Sequence, residues 1–239
     1  MNSKIDLYII DAGNSLIKLG VCIKGEIVSM SSFNSLALLK QELEPHVPIA
    51  LSSVLNSNFK EDLKNVQNPV FLVSHQVKLP FKINYLTPST LGIDRICNVA
   101  AISKTNQFTN RLIIDIGTCI KFDFLNDKNE YEGGSISPGL KLRFKALNLF
   151  TDKLPLIEIS EKVNLIGNST GSSMQSGVQN GIESEIKGLI SKYREKYQDL
   201  SIYITGGDAH YFDLAQKNNI FADEILTLKG ILEIYLLNV

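Results

Sequence analysis

Tryptophan is absent from this chain of 239 residues, and cysteine is scarce, with Cys22, Cys97 and Cys119 standing far apart. No C-x-x-C pair occurs, so neither a thiolate zinc site nor a complete disulfide set is indicated, and reduced, mostly buried thiols are expected. His46, His75 and His210 are equally scattered and lack the i, i+4 spacing with which a helix presents two imidazoles to a metal. An excess of charge is missing too: 24 Lys and Arg stand against 25 Asp and Glu, a net charge of -1. That leaves no electrostatic footprint for nucleic acid or an anionic membrane. No stretch approaches the roughly 18 apolar residues of a membrane-crossing helix. The opening MNSKIDLYIIDAGNS lacks the longer apolar region and small-residue cleavage site of a secretory signal. The expectation is a cytoplasmic protein with no nucleic-acid and no membrane partner.

Two common signatures are also absent: the G-x-x-x-x-G-K-[ST] phosphate loop and G-x-G-x-x-G after a strand. A phosphate-loop kinase and a Rossmann oxidoreductase are thereby poorly supported. The balance of 44% hydrophobic and 21% charged residues is that of a compact globular chain.

Residues 7–10 form an apolar run that ends at Asp11-Ala12-Gly13-Asn14-Ser15, and an alternating stretch follows over 17–23. The pattern predicts a strand, a tight turn and a returning antiparallel strand. A third strand is expected over 26–33, a helix over 35–44, short buried strands over 48–54 and 69–73, and helices over 58–66 and 93–103. At Arg111 the opening pattern returns. Leu112-Ile-Ile-Asp115-Ile-Gly117-Thr118 repeats the arrangement of Tyr8-Ile-Ile-Asp11-Ala-Gly13-Asn14, followed again by an apolar strand over 120–125. A repeat at this separation fits duplication of a whole α/β domain rather than a solenoid. We divide the chain at 1–110 and 111–239. The second half continues with a helix over 140–150, a long helix over 172–197 containing Gly177, Gly181 and Gly188, a strand over 200–205, and a terminal helix over 228–237. The three glycines suggest close packing or the approach of a ligand.

An acid at a strand end, followed by glycine and a small polar residue, suits a hydrated magnesium ion and a triphosphate. Gly13 leaves the backbone amides open to phosphate oxygens, Asn14 and Ser15 can donate hydrogen bonds, and Lys18 adds positive charge. Asp11 would hold Mg²⁺ mainly through water, because that ion dehydrates reluctantly. Seen once, the turn is equally well an ordinary hairpin; seen twice, it points to a phosphate site. Gly206-Gly207 can lie against a nucleoside, or can be a strand-to-helix turn with Asp208 as N-cap. Gly92-Ile93-Asp94-Arg95 offers an acid able to accept a hydroxyl proton and a guanidinium able to clamp a carboxylate. Taken alone, that pair reads better as a helix N-cap with a surface arginine.

Six segments in order give a more specific reading: Asp11-Ala-Gly-Asn-Ser, Gly92-Ile-Asp-Arg, Asp115-Ile-Gly-Thr, Gly133-Gly-Ser-Ile-Ser-Pro-Gly-Leu, Ser173-Met-Gln-Ser-Gly and Thr205-Gly-Gly-Asp. Along nearly its whole length the chain resembles the type III pantothenate kinases. The resemblance implies an α/β fold of two duplicated ribonuclease H-like domains of the actin-like ATPase superfamily, with a cleft between them. It implies transfer of the ATP γ-phosphoryl group to the primary hydroxyl of pantothenate, the first step of coenzyme A synthesis.

By the same resemblance, Asp94 is the general base. Asp11, Ala12, Gly13, Asn14, Ser15, Leu16, Ile17 and Lys18 form the phosphate-binding turn, with Asp11 linked to Mg²⁺, while Thr118, Gly206 and Gly207 complete the ATP site. Tyr85, Gly92, Ile93, Asp94, Arg95 and Thr170 contact pantothenate, and Asp115 holds a monovalent cation, K⁺ or NH₄⁺. A homodimer is implied.

Two residues depart from the family pattern. Ser15 stands where threonine is commoner, which keeps the hydroxyl. Lys121 stands where a small hydroxyl residue is usual, and it is expected to face away from Asp115. The alternative to an enzyme is a nucleotide-binding transcriptional regulator on the same scaffold, against which the retained Asp94 and Arg95 speak.

Overall fold

The computed structural model describes residues 4–55, 59, 61, 63, 66–105, 108–214 and 219–239. The chain divides into two compact units: Met1–Gln107 with Lys128–Glu132 and Ile225–Val239, and Phe108–Asp127 with Gly133–Glu224.

In the first unit β1 (Leu7–Ala12), β2 (Ile17–Ile23), β3 (Glu26–Phe33), β4 (Ile49–Ser53) and β5 (Val70–Leu72) form one sheet in the order β3-β2-β1-β4-β5. The first three are a meander, and β4 and β5 join parallel to β1. The central strand β1 is apolar on both faces and almost wholly buried, as a strand flanked on both sides must be, whereas the edge strand β3 is mostly exposed. Lys24 and Gly25, both with positive φ, make the two-residue link from β2 to β3, in which the turn's twist matches that of the strands. Ser35 caps α1 (Leu36–Gln41), its side chain accepting from the Leu38 amide, and the helix is shorter than the 35–44 expected. One face of the sheet buries Tyr8, Ile10, Leu19, Leu39, Ile49 and Leu51. Most of the helix expected over 58–66 lies outside the described residues.

The helix α2 (Ile93–Ile102) packs against the terminal helix, here labelled α6 (Leu226–Asn238). Their backbones nearly touch: a Cβ at Gly230 would lie 1.7 Å from the Cys97 carbonyl oxygen. The compact units therefore do not follow a single cut of the chain. The terminal helix, numbered with the second half at the sequence level, is held in the first unit by this packing.

The second unit repeats the strand order. Here β7 (Arg111–Ile116), β8 (Cys119–Leu125), β9 (Glu130–Pro138), β10 (Ser201–Thr205) and β11 (Ile220–Ala222) run β9-β8-β7-β10-β11. The pair β7 and β8 is antiparallel, while β10 is parallel to both β7 and β11. The start of β9 clusters with the first unit, where Glu130 and Tyr131 pair in parallel with Lys82 and Ile83 of the two-residue β6 (Lys82–Ile83). Helices α3 (Leu140–Leu149), α4 (Thr170–Gln175) and α5 (Gly181–Lys196) belong to the second unit, whose core joins Leu112, Ile114 and Phe122 to Phe144, Ile182 and Ile186. Burying each such side chain is worth about 1.5–3 kcal/mol.

The helix expected over 172–197 is divided by a π-helical turn, Ser176–Asn180. Gly177, Gly181 and Gly188 have no atom close enough to crowd a Cβ, so close packing is not what places them. Among the described residues no helix is long and apolar enough to cross a membrane.

Candidate active site

In the first unit the chain reverses between β1 and β2 through residues 13–16, closed by a hydrogen bond from the Gly13 amide to the Leu16 carbonyl at 3.1 Å. Ala12 and Ile17 are buried and anchor the two ends, while Asn14, Ser15 and Leu16 are exposed. Asp11 lies opposite Lys18 on β2 and beside Ser52 on β4. The eight residues expected to form the phosphate turn thus surround one acid at the carboxyl end of a buried strand, where open α/β sheets hold their ligands.

Asp94 enters from α2. It occupies the first turn, where the unpaired amides and the helix dipole favour an anion, and its Oδ1 accepts from the Arg95 amide at 2.9 Å. The absence of a side chain at Gly92, the N-cap, is what admits this carboxylate, because a Cβ there would lie 2.5 Å from the same oxygen. One turn on, the Cys97 thiol is fully buried. Burial pushes its pKa well up, the negative charges of Asp11 and Asp94 add to this, and the Ser52 hydroxyl acts in the opposite sense. Asp11 and Asp94, far apart in sequence, thus both act electrostatically on the same buried thiol.

Arg95 is only 5% exposed, and its guanidinium carbon lies 5.9 Å from the centre of the Tyr131 ring. Tyr131 in turn meets Tyr85 at 5.9 Å and Phe81 at 6.4 Å between ring centres. Tyr85 and Arg95 are thus joined through a tyrosine that sequence reasoning missed. Nothing in the segment around Tyr131 signals it; only the pairing of Ile83 with Tyr131 carries it there.

In the second unit Asp115 is the penultimate residue of β7, with Thr205 of β10 on one side and Lys121 of β8 on the other. The expectation that Lys121 faces away is overturned. Its Nζ lies 2.7 Å from Asp115 Oδ2, and both side chains are sheltered, 16% and 13% exposed. Directly opposed strand positions place the two side chains on one face, and opposite charges there attract. The exposed Thr118 sits in the turn after β7, where its carbonyl accepts from the Gly139 amide at 3.0 Å. Gly206 has a φ of +102°, and a Cβ there would meet the Ile116 carbonyl oxygen at 2.3 Å, so only glycine fits. Gly207 is uncrowded, and the Asp208 amide returns to Ile116 at 2.9 Å. Asp115, Thr118, Gly206 and Gly207 accordingly gather at one end of the sheet. Thr170 belongs elsewhere: it begins α4 behind a capping box of Ser169 and Ser172 and lines an open groove with Phe150 and Met174.

A sequence model of the type III pantothenate kinase family matches residues 7–192. Curated relatives of that description include proteins of Phocaeicola vulgatus, 39% identical and covering 93% of this chain and 95% of the relative, and of Cytophaga hutchinsonii, 40% identical over 97% and 99%. The chain belongs to the type III pantothenate kinase family. Type III pantothenate kinases are ATP-dependent kinases of coenzyme A synthesis, and the expectation of such an enzyme holds.

Among solved structures, a Clostridium difficile activator of 2-hydroxyisocaproyl-CoA dehydratase with bound ADPNP is similar in fold, with a TM-score of 0.53, 14% identity and coverage of 95% and 93%. The two-domain, mixed α/β fold is that of the actin-like ATPases.

The two ions that the sequence resemblance implies would meet different surroundings. Among the described residues no three His, Cys, Asp or Glu side chains converge into a metal cage. A carboxylate at a strand end, beside an exposed turn, suits Mg²⁺, which keeps most of its waters and takes phosphate oxygens as further ligands. Asp11 fits that description. Asp115 does not fit a monovalent cation in the same way, because an ammonium group already lies against its carboxylate.

Proposed function

We propose that the chain binds ATP with Mg²⁺ at the turn 11–18 and transfers the γ-phosphoryl group to the primary hydroxyl of pantothenate. The observation that supports the assignment of roles is the placement of two carboxylates in one unit, Asp11 near the end of β1 beside an exposed turn and Asp94 in the first turn of α2. One carboxylate serves the metal and phosphates, the other the acceptor hydroxyl. When bound, Mg²⁺ neutralises charge on the phosphates. Asp94 takes the hydroxyl proton on a carboxylate oxygen as the alcohol oxygen bonds to the γ-phosphorus and the bond to the β,γ-bridging oxygen breaks. The products are 4'-phosphopantothenate and ADP.

Such a transfer is mostly positioning and charge stabilisation. The amides of residues 14–16 and the Lys18 ammonium supply donors and charge for the phosphates. Thr118, Gly206 and Gly207 belong to the nucleotide, and Asp115 to the charge balance of that site. Tyr85, Gly92, Ile93 and Thr170 are assigned to pantothenate. Arg95 is assigned to its carboxylate, and a guanidinium this sheltered acts with little solvent screening.

The three free thiols suit the reducing cytoplasm, the compartment we propose. A homodimer is the proposed assembly. Leu149, Phe150, Leu165 and Ile166 are 74%, 81%, 82% and 82% exposed, an apolar display that a second copy would cover. A monomer mass in light scattering would remove that proposal.

The direct test is ADP release by the purified protein with ATP and Mg²⁺, with and without pantothenate, beside Asp94→Asn. Pantothenate-dependent release is expected, falling by about a hundredfold or more in the variant while nucleotide binding persists. ATP binding with no pantothenate-dependent turnover would overturn the kinase reading in favour of a nucleotide-binding regulator.

A further inference from the structure

We infer that the Lys121 ammonium takes the place of the monovalent cation in this chain, so that phosphoryl transfer proceeds without added K⁺ or NH₄⁺. The inference rests on the kinase reading above and concerns the charge beside Asp115. Three observations support it. Lys121 faces Asp115 directly across the antiparallel pair β7 and β8. The two side chains form an ion pair at 2.7 Å. Both are sheltered from solvent, so the pair is screened far less than an ordinary surface contact.

The chemistry is equivalent in sign and in kind. A lysine ammonium is an ammonium ion on a four-carbon stem, with a single positive charge and three N–H donors. Attachment to β8 removes the translational cost of capturing a free ion, and the strand register sets the stem beside the carboxylate. A second cation would meet repulsion. Two like unit charges held this close in a sheltered site repel far more strongly than they would in bulk water. A carboxylate already paired therefore makes a poor site for K⁺, whereas the same carboxylate facing a small hydroxyl residue has its charge open to an ion.

The inference predicts that removing the ammonium recreates an ion requirement. The experiment is a K⁺ titration of pantothenate-dependent ADP release at ionic strength held constant with tetramethylammonium chloride, for the wild type, Lys121→Ser and Lys121→Gln. Melting temperatures of all three are recorded in K⁺ and in tetramethylammonium. The wild-type rate should be flat across the titration. Lys121→Ser should lose activity about tenfold or more without K⁺ and regain it saturably with K⁺ or NH₄⁺. Its melting temperature should rise in K⁺ while that of the wild type does not.

Lys121→Gln keeps the length of the stem without its charge and serves if the serine variant fails to fold. Saturable K⁺ activation or K⁺ stabilisation of the wild type would overturn the inference, and so would variants indifferent to K⁺. Should no protein show pantothenate-dependent turnover, the kinase reading falls, and the melting temperatures still decide whether Lys121 excludes the ion.

Discussion

The two acid-bearing turns of this chain share a frame and differ in chemistry. Each follows the central strand of a five-strand array with the same order, and each places its acid opposite a lysine: Asp11 with Lys18, Asp115 with Lys121. In the first unit residues 13–16 stand between the last paired positions, Ala12 and Ile17, and three of their side chains are exposed. In the second the last pair is Ile116 with Ile120, so the turn is one residue shorter and exposes chiefly Thr118.

The next strand diverges as well. The amide that returns to the end of the central strand is Val54, directly after β4, in the first unit, but Asp208, beyond Gly206 and Gly207, in the second. A common scaffold thus presents a wide, donor-rich turn in one unit. In the other it presents a tighter one with a glycine detour beside it. The strand frame sets where an acid stands, and the length of the turn sets what can reach it.

The contrast breaks most visibly at the acids themselves. Asp11→Asn should lower pantothenate-dependent turnover by about a thousandfold, because the carboxylate proposed to meet metal-bound phosphates is lost from a partly exposed site, while unfolding free energy changes by less than about 1 kcal/mol. Asp115→Asn should show the opposite balance. It leaves the sheltered Lys121 ammonium beside a neutral amide and should cost about 2–3 kcal/mol in urea unfolding, with a smaller fall in turnover. Equal effects of the two substitutions on both measurements would show that the turns have not diverged in the way described.

Much of this frame was legible in the chain itself. The apolar run before Asp11, its echo before Asp115 and the glycine after each acid fix strand, turn and return by local pattern, and the structure has strands at those places. The features that were missed depend on tertiary pairing. Tyr131 reaches Tyr85 and Arg95 because β6, only two residues long, pairs with the start of β9, and so short a strand has no periodicity to read. The direction of Lys121 follows from its register opposite Asp115, which composition alone does not reveal. The placement of α6 with the first unit depends on the close approach of Gly230 to Cys97, a contact between distant segments.

The smallest expected effect lies at the end of the glycine detour, in Asp208. Burial raises its pKa, and the positive charges of Lys141 and His210 offset only part of that rise. A carboxyl whose folded pKa exceeds its unfolded value binds its proton more tightly in the native state. Its contribution to stability is full below the ordinary aspartate range and is lost as pH rises through the folded value. At neutral pH the ionised Asp208 is therefore a net cost to the fold, a cost that Val54, its counterpart in the first unit, does not carry. Asp208→Asn should raise the melting temperature at neutral pH, by an amount equivalent to less than about 1 kcal/mol, and the gain over wild type should shrink as pH falls through the aspartate range. A gain of constant size from acid to neutral pH would show that the carboxylate's charge is not what the detour strains against.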